Sequence, residues 1–177
     1  MDKHYLTPLF APASIAVLAG RADNPESLTS YAQALHPALR AQRFAGSLQF
    51  VDTHTSGTLA DLAQRKSDLA IIALPPAEVP AALEVAGRIG CRAALVLSSG
   101  MDADQAANLK KIARREGLYL LGPNSLGFQR PHLQLNASAA GPLASDGPLA
   151  LVCQSGALTS SILDWAQKNG VGFSTVV

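Results

Sequence analysis

The stretch LYLLGPNSLGF, Leu118 to Phe128, decides how the rest of the chain is read. Its first four residues leave room for a short buried strand. Gly122-Pro123-Asn124 then stops that strand abruptly, because proline offers no N–H to a ladder and glycine accepts tight backbone geometry. A polar loop therefore follows a strand's carboxyl end. Upstream, four strand-like runs alternate with helical patterns; downstream, the chain reads as irregular for about twenty residues before a new strand starts. Gly122 to Gly127 is thus predicted to be both the seam between two α/β units and a ligand-facing loop.

Upstream of the seam, SIAVLA (14–19) is a continuous apolar run between Pro12 and Gly20, as expected of a strand covered on both faces. Residues 28–44 follow with helical spacing at Tyr31, Leu35 and Leu39, and Pro37 is expected to kink or split that helix. SLQFVD (47–52) predicts a second strand, THTSG a loop and TLADLAQR (58–65) a short helix. DLAIIAL (68–74) predicts a third strand, ended by Pro75-Pro76. Residues 79–89 place Val79, Leu83 and Ala86 on one helical face, with Gly90 as the stop. Residues 92–97 predict the fourth strand, leading into Ser98-Ser99-Gly100. In the next helix Asp102 and Gln105 form a capping pair, Ala106, Leu109 and Ile112 face inward, and Gly117 closes it. Strands separated by helices of this length are joined by crossovers, so the fold class is α/β, with a parallel, doubly wound, Rossmann-like sheet.

Downstream, residues 129–148 are rich in Pro, Ser, Ala and Gly and read as a connector. Residues 149–153 predict a strand, Gln154-Ser155-Gly156 a turn, and 157–169 a helix with Leu158, Ile162 and Ala166 aligned, before a last strand in GFSTVV. A strand, a helix and a strand cannot bury their own faces. Residues 149–177 are therefore expected to be half a folding unit from a longer molecule, leaning on the first domain, the remainder of a parent chain or a neighbouring copy in a homo-oligomer. The expected domains are 1–128, a connector at 129–148, and 149–177.

Of the 177 residues, 48% are hydrophobic and 15% charged, below the roughly 25% charged that is usual for soluble domains, which suggests extra buried surface. A net charge of +1 gives no general field for nucleic acid or an anionic membrane. The amino terminus has no long apolar core, and no apolar run reaches spanning length, so a cytoplasmic location is expected. Cys91 and Cys153 show no paired or metal-like spacing and are expected to be buried, reduced thiols.

In an open parallel sheet, ligands sit outside the carboxyl ends of the strands where the winding reverses. Four loops are predicted there: 20–27, 74–76, 98–100 and 122–125. Each is short and backbone-rich, suited to a phosphate held by main-chain N–H groups and helix amino termini. Any one of them alone is better read as a chain turn; four together favour a nucleotide-like ligand. Neither G-x-G-x-x-G nor G-x-x-x-x-G-K-[ST] occurs, so neither the dinucleotide nor the Walker mechanism is signalled.

LFAPASIAVLAG (9–20), DLAIIALPPAEVPAALE (68–84), GCRAALVLSSG (90–100), LLGPNSLGF (120–128), LNAS (135–138) and LALVCQSGALTSSILDWAQKNGVGFS (149–174) together resemble the amino-terminal part of the NDP-forming acyl-CoA synthetases. These are relatives of the succinyl-CoA synthetase α subunit, and the same architecture is found fused to a GNAT domain in Pat-type protein lysine acetyltransferases. The resemblance implies a CoA-binding domain followed by the start of a flavodoxin-like ligase domain. It implies CoA or acetyl-CoA contacts at Gly20, Arg21, Pro75, Ser98, Gly100, Gly122, Pro123 and Asn124. It also implies a turn at Ser155 and Gly156 whose N–H groups face the phosphoryl group of a phosphohistidine, and ADP or ATP as nucleotide in the full-length protein.

The chain departs from that pattern in places. The family's first loop tends to read G-A-S with a further glycine, whereas Gly20 is followed by Arg21, Asp23 and Glu26. The family's Asn-Pro-Lys after the second strand is replaced by Asp52-Thr53-His54, so a lysine for a CoA phosphate is missing and weaker CoA binding is expected. The family's phosphorylated histidine lies beyond Val177, so no catalytic residue is assigned within the chain, and the fragment is expected to be inactive alone. Of His4, His36, His54 and His132 most are expected at the surface, and their scattered spacing offers no metal site. Ser155 lacks the first glycine of a nucleophile elbow and no histidine follows it. Cys153 is read as a packed thiol, and Lys110, Lys111, Arg114 and Arg115 as solvated charges complementing a helix dipole. Asp52 on a ribose hydroxyl would make this an NAD-binding domain, the third-ranked alternative. Of the two leading functions, the eroded first loop, LNAS and LDWAQ favour the acetyl-CoA-sensing region of a Pat-type acetyltransferase over an active ADP-forming acetate–CoA ligase.

Overall fold

The structure is a computed structural model that describes residues 4–20, 28–51 and 66–177. Two compact units emerge: Met1–Gln33 with Gly46–Ser125, and Ala34–Ala45 with Leu126–Val177.

The first unit is a five-stranded sheet of order β2-β1-β3-β4-β5. It contains β1 (Ser14–Leu18), β2 (Ser47–Phe50), β3 (Leu69–Ile72), β4 (Ala93–Val96) and β5 (Tyr119–Leu121), all paired in parallel. Every residue of β3 and β4 is buried, which is why LAII and AALV read as unbroken apolar runs rather than alternations. A short α1 (Thr7–Phe10) precedes β1, and α2 (Ser30–Arg40) follows it. α3 (Val79–Arg88) and α4 (Ala103–Arg115) are the crossovers to β4 and β5. Val79, Leu83 and Ala86 of α3 and Leu109 and Ile112 of α4 join Ala16, Leu18, Ala70, Ile72, Ala94 and Val96 in one core. The α/β class and the parallel, doubly wound sheet hold as predicted.

One expectation for the helices changes, and another is not addressed. α2 runs unbroken through Pro37 instead of splitting there; the ring forfeits the N–H that would bond to Gln33, and Pro37 itself is exposed. The predicted helix at 58–65 lies outside the described residues.

In the second unit the predicted connector is largely an antiparallel pair, β6 (Gly127–Arg130) and β7 (Leu135–Ser138), joined by a 3-10 turn at Pro131–Leu133. Its polar residues misled the sequence reading because they are buried and bonded to one another. The Gln129 amide donates to Ser138 Oγ (3.1 Å) and to the Pro142 carbonyl (3.0 Å), while its oxygen accepts from the Ala144 N–H (2.9 Å). Ser138 Oγ donates to Asn136 Oδ1 (2.7 Å), and the Asn136 amide donates to the Gly141 carbonyl (2.9 Å). A fully satisfied network of this kind lets polar side chains lie in a core. The sheet order is β7-β6-β9-β8, with β8 (Asp146–Leu151) at one edge, parallel to β9 (Phe173–Val176) and linked to it by α5 (Gly156–Lys168).

The buried face of α5 is Thr159, Leu163 and Ala166, not the predicted Leu158, Ile162 and Ala166. Thr159 can turn inward because its hydroxyl is spent on the Ser155 carbonyl (3.0 Å), one turn back. Leu158 is left 52% exposed and Trp165 56% exposed.

Candidate functional site

From β1 the chain steps to β2 on one side and β3 on the other, so the winding reverses between β1 and β3. In such sheets that reversal opens a crevice at the carboxyl ends. The register sets Leu18, Ile72 and Val96 side by side, with Leu121 beside Leu95, so β1, β3, β4 and β5 end almost level. Gly20, Pro75, Ser98, Gly100, Gly122, Pro123 and Asn124 follow those ends within a few residues. All seven lie along one rim of the first unit. Arg21, with Asp23, Glu26, Asp52 and His54, lies outside the described residues.

Hydrogen bonds tie the rim together. Ser98 is buried, and its hydroxyl donates to the Leu74 carbonyl at 2.6 Å. Its own carbonyl accepts from the Asn124 N–H at 2.9 Å, while the Val96 carbonyl accepts from the Ser125 N–H at 3.4 Å. Gly122 passes so close to β4 (φ 98°) that a Cβ there would strike the Val96 carbonyl oxygen. Ser98 therefore serves as a brace between loops, whereas Pro75, Gly100 and Asn124 keep some exposed surface.

One rim residue escaped the sequence reading. Thr29 immediately precedes α2, accepts the Ala32 N–H (3.1 Å) and donates to the Ala73 carbonyl (2.9 Å). A threonine three positions before the third helical residue is an N-cap signal, and the reading that began the helix at Leu28 absorbed it.

The helix starts along the rim differ in what they offer an anion. The first turn of α2 has no acidic residue. α4 is sealed: the Asp102 carboxylate accepts the Gln105 N–H (2.8 Å) and the Gln105 side chain accepts the Asp102 N–H (2.9 Å), which completes the predicted capping pair and puts a negative charge at that end. Around the start of α3, Pro75 and Pro76 ahead of the helix and Pro80 in its first turn carry no N–H at all. Of these three helix starts, that of α2 is the one with neither a charged cap nor a proline in its first turn.

Ser155 and Gly156 belong to the second unit, where they open α5. The Ser155 hydroxyl caps the helix by accepting the Leu158 N–H (3.3 Å). The Ser155 N–H, one of the donors assigned to an anion, points at Cys153 Sγ (3.4 Å), whose thiol in turn donates to the Ser155 carbonyl (3.6 Å). Cys153 is partly exposed rather than packed away. Cys91 is buried as expected, and burial first, then the charge of Asp68, pushes its thiol up to about 12.

His4 and His132 are exposed, as expected of most of the histidines, while His36 is buried. In the basic run, Arg115 is not merely solvated: it pairs with Glu84 (2.7 Å) and Glu116 (2.9 Å), and hydrogen bonds to those two carboxylates raise its pKa. Burial lowers that of Arg130. A separate hollow of about 170 Å³ lies at the opposite edge of the first sheet, next to Ala13, Asp68 and Arg92, which directly precede β1, β3 and β4.

Residues 47–131 match the CoA binding domain family, and residues 146–177 match the succinyl-CoA ligase like flavodoxin domain. The chain is 39% identical over 116 residues to acetate–CoA ligase [ADP-forming] I of Archaeoglobus fulgidus, and 36% identical over 114 residues to acetate–CoA ligase [ADP-forming] of Methanocaldococcus jannaschii. Each match covers 62% of this chain but only 17% and 16% of those ligases, so the chain spans about one sixth of their length. The dinucleotide forming acetyl-coenzyme A synthetase 1 of Ca. Korarchaeum cryptofilum superposes with a TM-score of 0.84 at 25% identity, covering 97% of this chain and 39% of that one. The resemblance to the NDP-forming acyl-CoA synthetases read from the sequence therefore holds.

Proposed function

We propose, for a chain that carries a CoA binding domain match followed by a succinyl-CoA-ligase-like one, that it binds CoA or an acyl-CoA along the carboxyl rim of its first sheet. The observation that carries this reading is the gathering of the loops after β1, β3, β4 and β5 on one edge. Gly20, Arg21, Pro75, Gly100, Gly122, Pro123 and Asn124 are its proposed contacts, with Ser98 behind them. Ser155 and Gly156 are the proposed anion turn of the ligase-like part. The proposed domains are 1–128, a connector at 129–148 and 149–177, and the change of compact unit after Ser125 supports the first of these boundaries.

The parent activity we favour is the ADP-forming interconversion of acyl-CoA, ADP and phosphate with acid, ATP and CoA, because the relatives at 39% and 36% identity are ADP-forming ligases. In that setting ADP or ATP binding belongs to the longer protein, whose remaining chain or companion subunits complete the site, and the location is cytoplasmic. An acetyl-CoA-sensing role in a Pat-type acetyltransferase is the second reading, favoured by LNAS and LDWAQ. Calorimetry and thermal melting of the 177-residue chain with CoA, acetyl-CoA and NAD test the proposal. CoA should raise Tm, as a native-state ligand does, and NAD should not. A shift with NAD but none at millimolar CoA overturns it; a marked preference for acetyl-CoA over CoA turns it towards the sensing role.

A further inference from the structure

Strand β3 is followed by two successive carbonyls, Ala73 and Leu74, at the point where the winding reverses, and each accepts a side-chain hydroxyl. The donors come from opposite flanks. Thr29 stands after β1 and Ser98 after β4, and β1 and β4 are the two strands that pair with β3. Ser98 passes the link on through its own carbonyl to the Asn124 N–H beyond β5, so hydrogen bonds run along the rim from α2 to the Gly122–Ser125 loop.

A carbonyl oxygen left bare beside a phosphate repels it, and a hydroxyl donating to that oxygen both cancels the exposed partial charge and fixes the peptide plane. We propose that Thr29 and Ser98 are positioning residues forming a hydroxyl clasp: they occupy the two carbonyls that directly follow β3, so that the crevice presents donors rather than acceptors to an anionic ligand. Neither residue needs to touch the ligand. Ser98 is 3% exposed and its hydroxyl is already committed, while Thr29 Oγ1 is shared between the Ala73 carbonyl and the Ala32 N–H. The clasp rests on the proposed binding of CoA at this rim.

The test measures CoA affinity by calorimetry in Thr29→Val, Ser98→Ala and the hydroxyl-keeping pair Thr29→Ser and Ser98→Thr, at a temperature where circular dichroism shows each variant fully folded. Thr29→Val and Ser98→Ala should each weaken CoA binding roughly tenfold, as expected for one lost hydrogen bond that leaves a polar group exposed to charge. Thr29→Ser should restore wild-type affinity, which a purely packing role would not predict, since it removes the methyl and keeps the hydroxyl. Equal affinity in Thr29→Val, Ser98→Ala and the wild type overturns the clasp while leaving CoA binding intact; failure of the wild-type chain to bind CoA overturns the binding proposal itself. Should Ser98→Ala not fold, the Thr29 pair decides alone, because Thr29 is only partly buried and Thr29→Val is nearly isosteric.

Discussion

Both units contain parallel strands linked by helices, yet the central strands of the first are covered on both faces, whereas the described edge strand and helix of the second leave apolar side chains bare. In β1, β3 and β4 the apolar side chains are sealed on both faces, with Ile15, Ile71 and Leu95 wholly buried. In the second unit, edge strand β8 leaves Leu149 51% exposed, and α5 leaves Leu158 and Trp165 exposed beside its buried face, with Ile162 between them packed partly against the core. Helical spacing alone does not say which apolar stripe becomes core. What decides is whether a neighbouring element is present to cover it.

That contrast fixes the largest expected effect. Leu95→Ala, in the centre of the first sheet, should cost about 2–5 kcal/mol in urea unfolding, because a close-packed site cannot collapse around the missing atoms. Leu158→Ala should change stability by no more than about 0.5 kcal/mol. A Leu158→Ala loss as large as that of Leu95→Ala would mean that α5 is covered in solution, and would erase the distinction between the units.

A second, smaller contrast lies within the first unit. Gly122→Ala and Gly100→Ala both place a side chain at positive φ, 98° and 82°. At Gly100 the new Cβ meets open space, so only the backbone preference is lost, about 1–2 kcal/mol. At Gly122 it meets the Val96 carbonyl oxygen, so the cost should reach or exceed the roughly 1–3 kcal/mol of local backbone strain, with a loss of CoA affinity as the loop moves off β4. Equal melting temperatures for the two variants would show that the loop after β5 is not held against β4.

Where the sequence could be read, burial and polarity agreed. DLAIIAL, GCRAALVL and the Asp102–Gln105 cap each say one thing at every level, and the strands and helix they predict are present. The hairpin at 127–138 was missed because Gln129, Asn136 and Ser138 satisfy one another inside the core, a pairing that composition does not register. The rim loops were legible as punctuation, but the division of labour within them was not. Ser98, read as a ligand contact, also braces two loops, and Thr29, read as helix, is a cap. Which way a hydroxyl points depends on a carbonyl 24 or 44 residues away in the chain.

The smallest effect, silent at neutral pH, separates the units through their two thiols. Cys91 sits in the sealed core with its pKa raised from 9.0 to about 12, whereas Cys153 is partly exposed at the start of α5. Below about pH 9 both folded and unfolded chains keep the Cys91 proton, and the residue adds no pH dependence. Between pH 9 and about 12 the unfolded chain releases that proton while the folded chain retains it, so stability falls as pH rises through this window. The Tm of the wild type should therefore drop faster than that of Cys91→Ala from pH 8.5 to 10.5. At pH 8 a thiol reagent should modify Cys153 promptly and Cys91 only on unfolding. Parallel melting curves, or two thiols reacting at one rate in the folded chain, would mean that the first unit opens as readily as the second and that its closed core does not persist in solution.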